Sequence, residues 1–158
     1  MIFYTIGAYN SNAEEFFEKL VSNRIDVFCD IRQKRGMRGS KYKFANSIRL
    51  QQRLNELNIA YLYVKQLAPT IDIRKIQREA DDAASESKYT RNTLGNFFVE
   101  KFRQEIIKKF DFDGFLGELG RCGAEKVVLF CVEENSNACH RSIVSEELVR
   151  KGFEVMDL

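Results

Sequence analysis

The sequence predicts an α/β fold: a three-layer sandwich on a mainly parallel sheet of about five strands, as a single domain over residues 1–158. Short apolar runs alternate with longer stretches of helical periodicity, which is typical of a parallel sheet covered by helices. The runs "IDVFCDI" and "KVVLFCVE" are almost continuously apolar, as expected for strands buried on both faces. A chain of 158 residues is also long enough to bury a proper core.

The amino-terminal half alternates apolar runs with amphipathic segments. Ser11 and Glu14 have the spacing of a capping box, which predicts a helix start there. The next helix carries leucines at helical spacing, and Pro69 closes the strand that follows it. The predicted elements are a strand at 2–6, a helix at 11–24, a strand at 25–31, a helix at 47–58 and a strand at 59–67.

The carboxyl-terminal half continues the alternation after a polar, mixed stretch. Residues 70–93 contain "DDAASES" and predict a partly helical excursion or flap. Gly152 marks the end of the closing helix. The predicted elements are a helix at 95–110, a helix at 112–123, a strand at 126–133, a helix at 140–152 and a strand at 153–158.

Composition excludes several classes of protein. The net charge is +2, and no apolar run approaches the ~20 residues of a membrane span. The opening "MIFYTIGAYN" lacks a basic leader and a cleavage site, so we expect a cytoplasmic protein. Four cysteines are few for a disulfide scaffold and predict free, catalytic or metal-bound thiols.

A basic segment follows the second strand. From Arg32 to Lys43 there are six Lys or Arg residues and no Asp or Glu, a pattern that indicates an anion-binding loop or a solvated charged loop. Gly36 and Gly39 let a ligand approach the backbone closely. The candidate contacts to phosphate and base are Arg32, Arg35, Arg38 and Tyr42.

Chemistry-bearing residues follow three predicted strands. Because ligands of open parallel sheets bind beyond the carboxyl ends of the strands, we expect these residues to line one crevice. The residues are Gly7 after the first strand, Asp30 and Arg32 after the second, and Cys131, Glu133, Cys139, His140 and Arg141 after the "VVLF" strand.

The triplet Cys139, His140 and Arg141 is predicted to occupy the first turn of a helix that begins near 137–139. Unpaired N–H groups and the helix dipole favour anions there and lower the pKa of a thiol. Arg141 offers a planar fork for phosphate, and His140 can act as acid or base. Adjacent helical residues point about 100° apart, so a Cys–His pair does not follow from adjacency.

Two other interpretations of this triplet stay open. Cys131, Cys139 and His140, with Cys29 or Glu133 as a fourth ligand, have the donor types of a zinc site, although the spacing matches no common zinc pattern. Alternatively, the two cysteines fill space in the core and the other residues cap the helix.

The segments "YTIGAYN", "CDIR", "RGMRGSKYKFAN", "LAPT" and "CVEENSNACHRS" together resemble the domain of unknown function 488 family, from Tyr4 to the final strand. The resemblance implies a compact Rossmann-like domain of bacteria and archaea, and it names no reaction. Many members are similar to T-I-G-H-S at the start, whereas Ala8 and Tyr9 follow Gly7 here, and the basic loop looks like that of one subgroup.

The sequence leaves three functions open and names no cofactor. The first is an enzyme that binds the phosphates of a nucleotide or nucleic acid. In it Arg32 and Arg141 clamp the anion, Asp30 or Glu133 is the general base, and Cys139 is the nucleophile or a structural neighbour. The second is a non-catalytic nucleotide- or nucleic-acid-binding module that uses the same loop. The third is a zinc-dependent site. No membrane partner is expected.

Overall fold

The computed structural model describes residues 1–37, 39–87 and 90–158, and its centre is a five-stranded, all-parallel sheet. The strand order is β3-β2-β4-β1-β5, so the Rossmann-like fold class is confirmed. The strands are β1 (Ile2–Ile6), β2 (Val27–Asp30), β3 (Ala60–Tyr63), β4 (Lys126–Phe130) and β5 (Glu154–Asp157).

Helices cover both faces of the sheet. The described residues form α1 (Ala13–Ser22), α2 (Ser47–Glu56), α3 (Ile71–Ala83), α4 (Asn96–Phe102), α5 (Phe112–Arg121) and α6 (Arg141–Arg150). A π-helical turn, Arg103–Ile107, extends α4, and a 3₁₀ turn, Ser136–Ala138, precedes α6. No helix of the described residues is long and apolar enough to cross a bilayer.

The core has one layer on each side of the sheet. Helices α1 and α2 pack Phe16 and Leu54 against Phe28 and Phe130. On the opposite face, α3 to α6 pack a larger apolar group that includes Phe102. Burying both faces is what requires strands of continuous apolar character.

Two helix starts lie later than the sequence predicts. The cap of α1 is Asn12, whose side chain accepts from the N–H of Glu15 while Glu15 reaches back, so the capping box at Ser11 and Glu14 is wrong by one residue. Helix α6 begins at Arg141, with His140 as its N-cap. Cys139 is extended, at φ −134° and ψ 145°, and therefore lies outside the first turn.

The polar stretch 70–93 contains a regular helix. Thr70 caps α3 by accepting from the N–H of Ile73, directly after Pro69. Ile73, Gln77 and Asp81 form its buried stripe at a spacing of four residues. Through this stripe α3 packs toward the sheet. The segment that follows α3 extends to the carboxyl ends of the strands.

Candidate functional site

The carboxyl ends of three neighbouring strands lie level with one another. Phe130 at the end of β4 pairs with Ile6 of β1 on one side and with Asp30 of β2 on the other. The loops after β1, β2 and β4 therefore start at the same edge of the sheet. Such an edge is where open α/β sheets bind ligands.

Strand alternation divides the predicted site residues between the two faces of the sheet. Asp30 follows the alternation of Phe28, which packs under α1 and α2. Cys131 follows that of Leu129, which packs under α3 to α6. The predicted residues thus share one edge but form two separate groups.

The first group is a buried ion pair between Asp30 and Arg32. Both carboxylate oxygens of Asp30 accept from the guanidinium, at 2.8 Å from Nε and 2.7 Å from Nη2. Arg32 also donates to the carbonyl of Ala45 at 2.9 Å, and its guanidinium lies 4.5 Å above the ring of Phe130. The fork of Arg32 is therefore used inside the protein, where it anchors the basic loop to β2.

Tyr61 of β3 completes this group. Its hydroxyl donates to Asp30 at 2.9 Å. Burial, together with the neighbouring carboxylate, raises the pKa of Tyr61 to about 12, so the phenol is neutral at physiological pH. With the N–H of Arg32 also donating, the carboxylate of Asp30 accepts four hydrogen bonds.

The second group is a cluster of Cys131, Glu133, Cys139 and His140, here called the thiol centre. The sulfurs of Cys131 and Cys139 lie 3.9 Å and 3.7 Å from Nδ1 of His140. The thiol of Cys131 donates to Glu133 at 3.2 Å. Because Cys139 is extended, its side chain reaches the imidazole that follows it in sequence.

The orientation of His140 is fixed from behind. Its Nε2 lies 3.1 Å from the carbonyl oxygen of Ile31, which can only accept, so Nε2 carries the proton. In the neutral imidazole the lone pair of Nδ1 then faces the two sulfurs. Phe102 packs against the ring at 5.5 Å between centroids.

The two thiols differ in acidity. Burial acts to raise the pKa of Cys139, but the hydrogen bond with Cys131 and the charges of His140 and Arg141 outweigh it, and the pKa falls well below its usual range. The hydrogen bond with Cys139 and burial raise the pKa of Cys131. Burial raises the pKa of Glu133 to about 7. For His140, burial acts to lower the pKa, yet the nearby Cys139 raises it.

Arg141 holds the loop that carries the thiol centre. It is completely buried, and its guanidinium donates to the carbonyls of Glu133 and Glu134 and, at 3.3 Å, to Oγ1 of Thr5. As in Arg32, the guanidinium donates its hydrogen bonds to other atoms of the protein. Its positive charge nevertheless acts on Cys139.

Gly7 permits the loops after β1 and β4 to touch. A Cβ at this position would lie 2.1 Å from the carbonyl oxygen of Glu133, so only glycine fits. The next two N–H groups, of Ala8 and Tyr9, both donate to the carbonyl of Val132. The glycine predicted as a ligand contact therefore has a backbone role here.

Sequence reasoning missed Arg91. Its guanidinium bonds to Asp81 at 2.8 Å, to Glu133 at 3.3 Å and to the carbonyl of Ala138 at 3.0 Å. The three side chains are at most 14% exposed. The sequence signal that could have pointed to Arg91 is the spacing of four residues in the buried stripe of α3, which ends at Asp81, the partner of Arg91.

The basic loop, residues 32–43, presents a different surface. Lys34, Lys41 and Lys43 are exposed, and among the described residues none of them pairs with a carboxylate. Arg35 lies 4.3 Å above the ring of Tyr63, and Lys41 lies 5.3 Å from that of Tyr42. Arg38, also predicted as a contact, lies outside the described residues.

A chain of hydrogen bonds joins the basic loop to the loop that carries the thiol centre. The N–H of Asn10 donates to the hydroxyl of Tyr42 at 3.2 Å, and the side-chain amide of Asn10 donates to Glu134. Asn10 has φ 60°, a left-handed conformation that asparagine tolerates well. The loops after β1, β2 and β4 are thus connected at one edge.

The fold and this edge define a Rossmann-like α/β protein with two buried thiols, an imidazole and a carboxylate beside an exposed basic loop. The family model described as "Domain of unknown function DUF488" matches residues 12–148, and the chain belongs to that family. Comparison with curated proteins and with solved structures found no match.

Two kinds of chemistry suit the thiol centre. A thiolate beside an imidazole is the pair used in nucleophilic catalysis by cysteine. Two thiols and an imidazole are also the ligand set of many zinc sites. The ligand atoms of Cys131, Cys139 and His140 all lie within 4.8 Å of one another, and they form the only such group in the described parts of the chain.

Proposed function

We propose that the protein is an enzyme that acts on a nucleotide or nucleic acid. It holds the substrate by its phosphates on the basic loop, and the chemistry takes place at the thiol centre. The observation that carries the proposal is the chain Tyr42–Asn10–Glu134, which connects the basic loop to the loop of the thiol centre.

The exposed lysines support phosphate binding. Lys34, Lys41 and Lys43 bring three positive charges to a loop without acidic residues. Lysines without carboxylate partners are free to replace the counterions of a phosphate backbone. Arg35 and Tyr63 add a cation and a partly exposed ring, a combination on which bases stack.

The proposed enzyme gives the buried arginines a different role from the clamp expected from sequence. Arg32 and Arg141 donate to Asp30 and to backbone carbonyls, so they position the loops rather than touch a phosphate. In the proposed enzyme the contacts to substrate come from the exposed cations. Glu133 is the carboxylate that can serve as a base, because it lies in the thiol centre. Both oxygens of Asp30, in contrast, are taken by Arg32 and Tyr61.

The proposal includes two finer points. The loop sequence "RGMRGSKYKFAN", which supplies the exposed cations, marks a subgroup of the family. The protein works in the cytoplasm, a proposal supported by its four free cysteines, because reducing compartments keep thiols unpaired.

A turnover assay tests the proposed enzyme. Wild-type protein is incubated with ribonucleotides, deoxyribonucleotides and single- and double-stranded oligonucleotides, and products are detected by mass spectrometry. We expect conversion of a phosphate-bearing substrate, reduced about 100-fold or more in Cys139→Ser. The matched variant Cys122→Ser, which alters an exposed cysteine, retains the activity.

A non-catalytic binding module is the second candidate, favoured by one observation. Cys139 is only 1% exposed, so a substrate must displace part of the loop to reach it. This candidate requires binding without turnover and an affinity that falls steeply with salt. An oligonucleotide that binds but is never converted would select it over the enzyme.

A further inference from the structure

We infer that the thiol centre binds a zinc ion through Cys131, Cys139 and His140, with Glu133 as the fourth ligand. The inference goes beyond the proposed function and does not depend on it, since zinc binding is measured without substrate. Cys139 is too deeply buried to attack a substrate directly without a movement of its loop, and zinc binding gives this buried cluster a role that needs no such movement.

The distances between the donor atoms are those of a tetrahedral site. With zinc–sulfur bonds of about 2.3 Å and zinc–nitrogen bonds of about 2.0 Å, a sulfur and a nitrogen ligand lie about 3.6 Å apart. The sulfurs of Cys139 and Cys131 lie 3.7 Å and 3.9 Å from Nδ1 of His140. A small inward movement of Cys131 brings these three donor atoms to tetrahedral separations.

The imidazole already has the orientation of a metal ligand. Metal-bound histidines usually donate their other N–H to a carbonyl or carboxylate, which fixes the tautomer and the plane of the ring. Nε2 of His140 lies 3.1 Å from the carbonyl of Ile31, and Nδ1 points at both sulfurs. The donor and its support are both present.

Glu133 has one oxygen for the ion and one for a partner. Its Oε2 lies 3.2 Å from the sulfur of Cys131, but Glu133 is not in the group of three whose donor atoms lie within 4.8 Å of one another, so its side chain must rotate inward to reach the ion. Its Oε1 lies 3.3 Å from Nη2 of Arg91. Arg91 therefore supports the fourth ligand in the way that the carbonyl of Ile31 supports His140.

The charges balance when the ion is bound. Two thiols release their protons to solvent on binding, and the resulting thiolates neutralise Zn²⁺. The carboxylates of Glu133 and Asp81 add two negative charges, which Arg91, paired with both, and the buried Arg141 beside Cys139 offset. Soft sulfur ligands with an imidazole favour zinc over magnesium or calcium, which prefer oxygen.

Metal content and cobalt substitution test the inference. Full-length protein, kept reduced, is analysed for metal by plasma mass spectrometry, stripped with a chelator and titrated with Zn²⁺ or Co²⁺. We expect one zinc per chain and, with cobalt, the visible bands of a tetrahedral site together with sulfur-to-cobalt charge transfer. The inference is overturned if stripped wild-type protein stays folded but gives no cobalt bands and takes up no zinc. That result would not bear on the proposed function, which the turnover assay tests separately.

Variants identify the ligands. Cys131→Ser and Cys139→Ser are expected to lose stoichiometric zinc, and Glu133→Gln to weaken zinc affinity about 10–100-fold. Cys122→Ser is the matched control and keeps the metal. Equal metal loss in Cys122→Ser, or full retention in Cys139→Ser, contradicts the site. If a serine variant fails to fold, the cobalt spectrum of the wild type still decides.

Discussion

Asp30 and Arg32 form a fully buried, two-pronged ion pair at the start of the basic loop, with N–O distances of 2.7 Å and 2.8 Å. The pair joins the end of β2 to Ala45 and covers Phe130. It is the structural reason why a loop rich in repelling cations has a defined path across the edge of the sheet.

Breaking this pair should destabilise the fold. Asp30→Asn leaves the guanidinium buried without its counter-charge, so we expect the free energy of unfolding to fall by about 3–5 kcal/mol in urea titrations. The matched change Glu56→Gln, in an exposed pair with Arg53, should alter it by less than about 0.5 kcal/mol. A stable Asp30→Asn that loses only ligand binding would instead show that Arg32 serves a ligand.

Two glycine substitutions should have opposite effects. Gly7→Ala drives a methyl group into the carbonyl of Glu133, and we expect a loss of about 1–3 kcal/mol in unfolding free energy. Gly117→Ala, on the exposed side of α5 with open space around it, should add about 0.5–1 kcal/mol. Equal stability of the two variants would mean that the contact between the loops after β1 and β4 is not tight.

Arg91 should contribute to the stability of the fold and should hold the segment after α3 in place. Arg91→Met removes hydrogen bonds to the buried Asp81 and to the partly buried Glu133, so we expect a loss of about 1.5–3 kcal/mol in unfolding free energy. We also expect faster protease cleavage between residues 84 and 95. Arg78→Met, at an exposed position of α3, is the matched control. Unchanged cleavage in Arg91→Met would show that this segment is held by other contacts.

Cysteine reactivity should follow burial. Native, reduced protein should react rapidly with iodoacetamide only at Cys122, because Cys29, Cys131 and Cys139 are buried. Peptide mapping by mass spectrometry checks this, and Cys122→Ser should remove the fast reaction. Rapid modification of Cys139 at pH 6 would contradict zinc ligation and assign that residue as a free thiolate nucleophile.

Much of the fold was predictable because burial on both faces leaves a strong pattern. Apolar runs such as "KVVLF" gave β4, and strand polarity placed Gly7, Asp30 and Cys131 at one edge. The sequence did not predict that Asp30 and Cys131 lie on opposite faces of the sheet. Strand alternation sets the face of a residue within a strand, but at and beyond the strand ends the loop conformation also decides it.

The contacts within the site were less predictable. A helical first turn would have kept Cys139 and His140 apart, and the extended conformation of Cys139 brings them together. Arg91 was missed because its partners are distant in sequence and its neighbourhood is polar. The arginines 32 and 141 resemble ligand clamps in sequence, and only the structure shows their carbonyl and carboxylate partners.

The central claim is that the basic loop binds the phosphates of a nucleotide or nucleic acid. Its most direct test is the salt dependence of binding of a fluorescein-labelled single-stranded oligonucleotide, measured by anisotropy. We expect Lys41→Gln with Lys43→Gln to weaken binding and to reduce the slope of log affinity against log salt by about 1.4, the value for two lost phosphate contacts. The matched pair Lys108→Gln with Lys109→Gln, exposed beyond α4, should leave the slope unchanged. A salt-insensitive affinity, or equal slopes for both double variants, would contradict the claim.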